Sequence, residues 1–78
     1  MKKEEIKVTK YIFDRNSQKY FLYLVPNGDM VEFILNRDGY SEYECVVDLL
    51  SNDSEKFEEV IEGNIDIWIE DYSVNINE

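Results

Sequence analysis

Apolar and polar positions divide the chain into short elements. Residues Ile6 to Phe13 read I-K-V-T-K-Y-I-F, β-branched and aromatic positions broken by Lys at partial alternation, the pattern of a strand with one solvated face. Asp14 to Gln18, D-R-N-S-Q, is turn chemistry. Lys19 to Val25, K-Y-F-L-Y-L-V, is apolar at both parities, which predicts a central strand covered on each side. In Pro26-Asn27-Gly28-Asp29, Pro presets φ and Asn-Gly takes the positive φ that tight hairpin turns require. Met30 to Asn36 returns as a third strand, so residues 6–36 read as an antiparallel meander.

Beyond the Arg37-Asp38-Gly39 turn, Ser41 to Leu50 fits two periods. Period two puts Tyr43, Cys45, Val47 and Leu49 on one face and Glu42, Glu44 and Asp48 on the other, broken only by Val46. Period 3.6 groups Tyr43, Val46, Val47 and Leu50, with Ser41 and Glu44 at capping-box spacing. A fourth strand is the favoured reading and a helix the alternative. Asn52-Asp53-Ser54 then offers N-cap residues, Phe57, Val60 and Ile61 share a side, and Gly63-Asn64 reads as a C-terminal cap. This predicts a two-turn helix over 55–62, too short to persist without a sheet to dock on. Ile65, Ile67 and Ile69 alternate with Asp66, Trp68 and Glu70, which predicts a last strand. The shift of apolar parity to Tyr72, Val74 and Ile76 predicts a bulge near Glu70-Asp71. The expected fold is α+β: a small, mostly antiparallel sheet of four to five strands with one short helix, in the order β-β-β-β-α-β.

The 78 residues suit a single domain over 1–78, since domains run from about 50 to 200 residues. The lone Cys45 cannot form an intramolecular disulfide, which points to a reducing compartment, and it reads as a small buried hydrophobe. Lys7 and Lys10 interrupt any apolar stretch of signal-peptide length near the N-terminus. The longest apolar run, Tyr20 to Val25, falls far short of the roughly 20 residues a membrane-spanning helix needs. The expected location is therefore the cytoplasm.

The chain contains no His, which removes the commonest general base and the usual partner of a Ser or Cys nucleophile. One Cys without His does not make a zinc site. A calcium-loop register with Gly39 at its sixth position puts Ile34 first and Cys45 last, where carboxylates are required. The glycines at 28, 39 and 63 are too dispersed for a phosphate loop. Paired carboxylates can serve as acid and base, but so small a fold offers little depth for a substrate cleft. Neither catalysis nor a cofactor nor a metal is expected.

Charge is the more informative property. The net charge of −10 is unevenly distributed. Residues 1–28 hold six basic residues against three acidic ones, a balance of +3, whereas residues 29–78 hold Arg37 and Lys56 against 15 acidic residues, a balance of −13. Such a field disfavours nucleic acid and anionic membranes and favours a basic partner. Glu55, Glu58, Glu59 and Glu62 follow i, i+3, i+4, i+7 spacing and form one stripe of the expected helix. Glu42, Glu44 and Asp48 form a second acidic group on the expected strand, and Asp66, Glu70 and Asp71 extend the pattern if the last strand packs beside them. Such a stripe is also the ordinary solvated face of a helix, and acidity promotes solubility.

In size, charge and lack of an active site the chain resembles the small acidic proteins with which bacteriophages inhibit host DNA-binding proteins by imitating DNA. The resemblance is one of composition and rests on no motif. It implies a protein-binding inhibitor whose partner is a basic nucleic-acid-binding protein: a nucleoid protein, a nuclease or defence effector, a repair enzyme or RNA polymerase. A second reading is a small assembly protein that self-associates through an apolar sheet face, its acidity serving solubility. Tyr20, Leu22, Leu24 and Trp68 are the residues expected at such a homodimer interface.

Overall fold

A computed structural model describes residues 7–39 and 43–76. Four strands, β1 (Thr9–Arg15), β2 (Gln18–Asn27), β3 (Met30–Arg37) and β4 (Glu44–Ser51), precede a helix, α1 (Phe57–Ile76). The strands form one sheet in the order β1-β2-β3-β4, each antiparallel to the next, with Phe13 opposite Tyr20, Leu22 opposite Leu35 and Phe33 opposite Val46. The α+β class, the antiparallel sheet and the fourth strand are thus as the sequence predicts.

Turn chemistry sets the first two hairpins. Arg15 pairs with Gln18, which leaves Asn16 and Ser17 as a two-residue turn with φ of 57° and 65°, the positive values that a type I′ turn demands at both positions. Asn27 pairs with Met30, and Gly28 takes φ of 67° at the first position of the turn. There a side chain would be strained and glycine is not.

Period two gives the sheet its inner face. Tyr20, Leu22, Leu24, Val31, Phe33 and Leu35 are at most 2% exposed, and α1 covers them with Ile61, Ile65, Trp68, Ile69 and Tyr72. These five positions recur at i, i+4, i+7, i+8 and i+11, the stripe of an amphipathic helix. The Trp68 ring lies 5.0 Å from that of Phe33, while Tyr20 stacks on Phe13 at 5.5 Å and meets Tyr72 edge-on at 6.3 Å. Tyr20, Leu22, Leu24 and Trp68, expected at a dimer interface, therefore form the protomer's own core.

Two further expectations are corrected. The short helix and the last strand are one helix of 20 residues, with Gly63 and Asn64 inside it rather than at a cap. Magnitudes explain this. A mid-helix glycine costs about 1 kcal/mol, whereas each large side chain that the continuing helix buries contributes about 1.5–3 kcal/mol. Ile65, Trp68, Ile69 and Tyr72 all become buried.

The second correction concerns β4. Its inward residue is Val46, with Glu44, Asp48 and Leu50 half-buried at the same parity. Tyr43, Cys45, Val47 and Leu49 are exposed on the opposite face, away from α1, so Cys45 is not the buried hydrophobe expected. The register accounts for the parity: Val31 pairs with Leu50 and Phe33 with Val46, so two steps along β3 match four along β4 and the alternation survives the bulge. The central strand β2 is likewise covered by α1 on one face only, not on both.

Candidate partner-binding surface

The connection between β4 and α1 decides which way the acidic residues point. Asn52 is buried; its backbone N–H donates to the Asp29 carbonyl at 2.7 Å and its side-chain amide to the Gly28 carbonyl at 3.2 Å. The connection is thereby tied to the β2–β3 turn. Ser54 Oγ then accepts the Lys56 N–H at 3.0 Å, and the Lys56 carbonyl accepts the Val60 N–H at 3.0 Å. Glu58 and Glu59 fall in the first turn, where the exposed peptide N–H groups and the helix dipole favour anions. Farther along, Asn64 Nδ2 donates to the Val60 carbonyl at 2.9 Å within the helix.

With the apolar stripe turned to the sheet, Glu58, Glu59, Glu62, Asp66, Glu70 and Asp71 are all exposed along α1, Glu58 and Glu62 on the flank nearest Tyr11 of β1, and Glu55 is exposed just before the helix. No Lys or Arg occurs within the helix. The stripe expected over 55–62 and the separate group Asp66, Glu70 and Asp71 are thus brought together on one element, joined by helical continuation and not by strand packing. From Glu58 to Asp71 the axis rises about 20 Å at ~1.5 Å per residue. Asp66 also makes an ion pair with Arg15 at the end of β1, an exposed contact that contributes little to stability.

The strand carboxylates do not join this surface. Glu44 and Asp48 are half-buried at the inward parity of β4, and Glu42 lies outside the described residues. Sequence reasoning missed Ile67 and Val74, which are 58% and 71% exposed on the outer side of α1. Their absence from the 61, 65, 68, 69, 72 stripe is the signal that could have found them. Beside the helix, a shallow groove of about 240 Å³ is lined by Tyr11, Glu58, Ile61 and Glu62, below the roughly 300–1,000 Å³ of small-molecule sites.

The other exposed surface is the sheet face that α1 leaves open. Ile12, Tyr43, Val47 and Leu49 are each about half exposed there (47–55%). Tyr43 stacks on Tyr23 with ring centroids 5.7 Å apart. Burial first, then its hydrogen bond and proximity to Tyr23, holds the Tyr43 phenol above its ordinary pKa.

Among the described residues, no helix is long and apolar enough to cross a membrane, and no group of three or more His, Cys, Asp or Glu is placed to hold a metal ion. Compared with protein-family models, curated proteins and solved structures, the chain matches none of them.

Proposed function

We propose that the outer side of α1 docks onto a basic nucleic-acid-binding protein and occupies the site of its DNA or RNA. The observation that carries this reading is the run of six exposed carboxylates along a helix with no basic residue. Six charges over about 20 Å of axis amount to roughly one per 3–4 Å, close to the ~3.4 Å axial spacing of phosphates along one strand of duplex DNA. Like charges at i, i+4 destabilise a helix by about 0.2–0.5 kcal/mol per pair, and selection for stability alone would intersperse Lys. Ile67, exposed among Asp66, Glu70 and Asp71, gives the surface an apolar contact that a phosphate backbone lacks and a protein groove can use.

A pull-down from bacterial lysate at low and high salt, with captured proteins identified by mass spectrometry, tests the proposal. The expected result is a basic nucleic-acid-binding protein, released by salt because opposed charge arrays are screened beyond about 8 Å at physiological ionic strength, and unable to bind DNA or RNA while captured. Changing Glu59, Glu62 and Glu70 together to Lys abolishes capture and leaves the circular dichroism spectrum intact. Recovery of no such protein, or capture that survives the triple reversal, rejects the proposal.

A further inference from the structure

The sheet has an apolar face on each side, and among the described residues one helix packs on it, covering one face. On the open face, Ile12, Tyr23, Ile34, Tyr43, Val47 and Leu49 sit at the parity opposite to the core. Among the described residues, eight large hydrophobic side chains are prominently exposed; four of them (Ile12, Tyr43, Val47 and Leu49) belong to this face, and Met30 shares its parity. The largest apolar patch on a small protein is often a contact surface.

We infer that a second copy of this chain covers the open face, sheet against sheet. Charge is the first argument. In a protein of net charge −10, the strand positions of the open face carry Lys10 and Lys19 against Asp14 and Glu32 and are neutral. Six carboxylates, the densest acidic group among the described residues, lie on the far side of the sheet, on α1. Two copies can therefore meet on this face while their strongest fields point away from one another; on any surface that includes α1 they would repel. Lys10, with its ammonium 5.5 Å from the Phe21 ring centre, lies over the sheet with its alkyl stem available for contact.

Area is the second argument. Four strands about 4.8 Å apart and some seven residues long at ~3.3 Å each give a footprint of roughly 450 Å² per copy. Two such faces remove on the order of 1,000 Å² of accessible surface, the lower bound of a specific protein–protein interface. Packed as a sandwich with sheets about 10 Å apart, the dimer carries its two acidic helices on opposite outer layers.

Cys45 is a built-in reporter, because it is exposed on the open face and is the chain's one thiol. Sedimentation equilibrium of the full chain across a range of concentrations should give twice the 9.3 kDa protomer mass at the upper end. Maleimide labelling of Cys45 should slow in step with dimer formation. Val47→Glu, at an exposed position that needs no repacking of the core, should weaken association by about a hundredfold or more, since each interface then buries two unpaired carboxylates. Ile67→Glu on α1 should leave it unchanged. A 9.3 kDa species at every concentration overturns the inference, whether Cys45 is freely labelled or shielded within its own chain. So does a dimer whose Cys45 is labelled at the monomer rate, which would indicate pairing through the free edges of β1 or β4. None of these measurements depends on the helix carboxylates, so the outcome is independent of the proposed partner.

Discussion

The backbone N–H of Arg37 donates to the Tyr72 hydroxyl at 3.0 Å, which joins the last turns of α1 to the end of β3, two residues beyond the Leu35–Glu44 pair. The Tyr72 side chain is fully buried. Burial raises its pKa, more than the Arg37 N–H and the Arg37 charge lower it, and Glu44 and Tyr20 add smaller upward contributions. The unfolded chain releases this proton near pH 10, while the folded chain holds it to higher pH. The associated stability is therefore complete below pH 10 and is lost as pH rises through the folded value. Urea unfolding at a series of pH values from 8 to 11 should show stability falling above 10, and falling less in Tyr72→Phe. At neutral pH that variant should be about 1–3 kcal/mol less stable, because the Arg37 N–H loses its acceptor.

Trp68 is the chain's single tryptophan and is 3% exposed. Trp68→Ala should cost about 3–5 kcal/mol, which approaches the whole stability of a domain of this size. The variant should lose the cooperative thermal transition. In the unaltered protein, a red shift of tryptophan emission should coincide with loss of the helical signal, since undocking α1 exposes this ring.

Gly63→Ala should stabilise. Gly63 is exposed within α1, and a methyl group there meets nothing within 4 Å. The gain should be about 0.5–1 kcal/mol, seen as a rise of a few degrees in melting temperature. A fall would show that the backbone at 63 departs from regular helix.

Glu62 stands three residues from Glu59 and four from both Glu58 and Asp66. Glu62→Lys turns these repulsions into attractions, each worth about 0.2–0.5 kcal/mol, and should raise stability by roughly 1 kcal/mol. Added salt should stabilise the unaltered chain more than the variant. If the salt dependence of the two is the same, the outer carboxylates are not in mutual repulsion.

The strands and turns of residues 9–37 are legible in the sequence because hairpin chemistry is local: Asn16-Ser17 and Gly28 announce their turns whatever the rest of the chain does. The helix was half legible. Ile65, Ile67 and Ile69 satisfy period two, while Ile61, Ile65, Trp68, Ile69 and Tyr72 satisfy 3.6. Only the apolar sheet waiting beneath decides between them. For the same reason the helix carboxylates were identified as residues but not as one surface. The facing of β4 was illegible, since its more apolar side is the outer one and the bulge opposite Val31 to Phe33 has no marked sequence signal. Which face Tyr20, Leu22 and Leu24 take is not legible because both parities of β2 are apolar, and Trp68 reads as an outward anchor only while residues 65–70 read as a strand, whereas the helix turns its ring onto Phe33.

Every strand in this sheet pairs only with its neighbours in sequence, and the first two connections are two-residue turns. Contacts of such short range are the hallmark of rapid folding, because little chain entropy is lost before each pairing is rewarded. The helix follows all four strands, so on the ribosome the hairpins can zip together while both of their greasy surfaces are still bare. The acidic helix then arrives last, as the closing layer, and the nascent sheet is the species on which a chaperone or a neighbouring nascent chain would act.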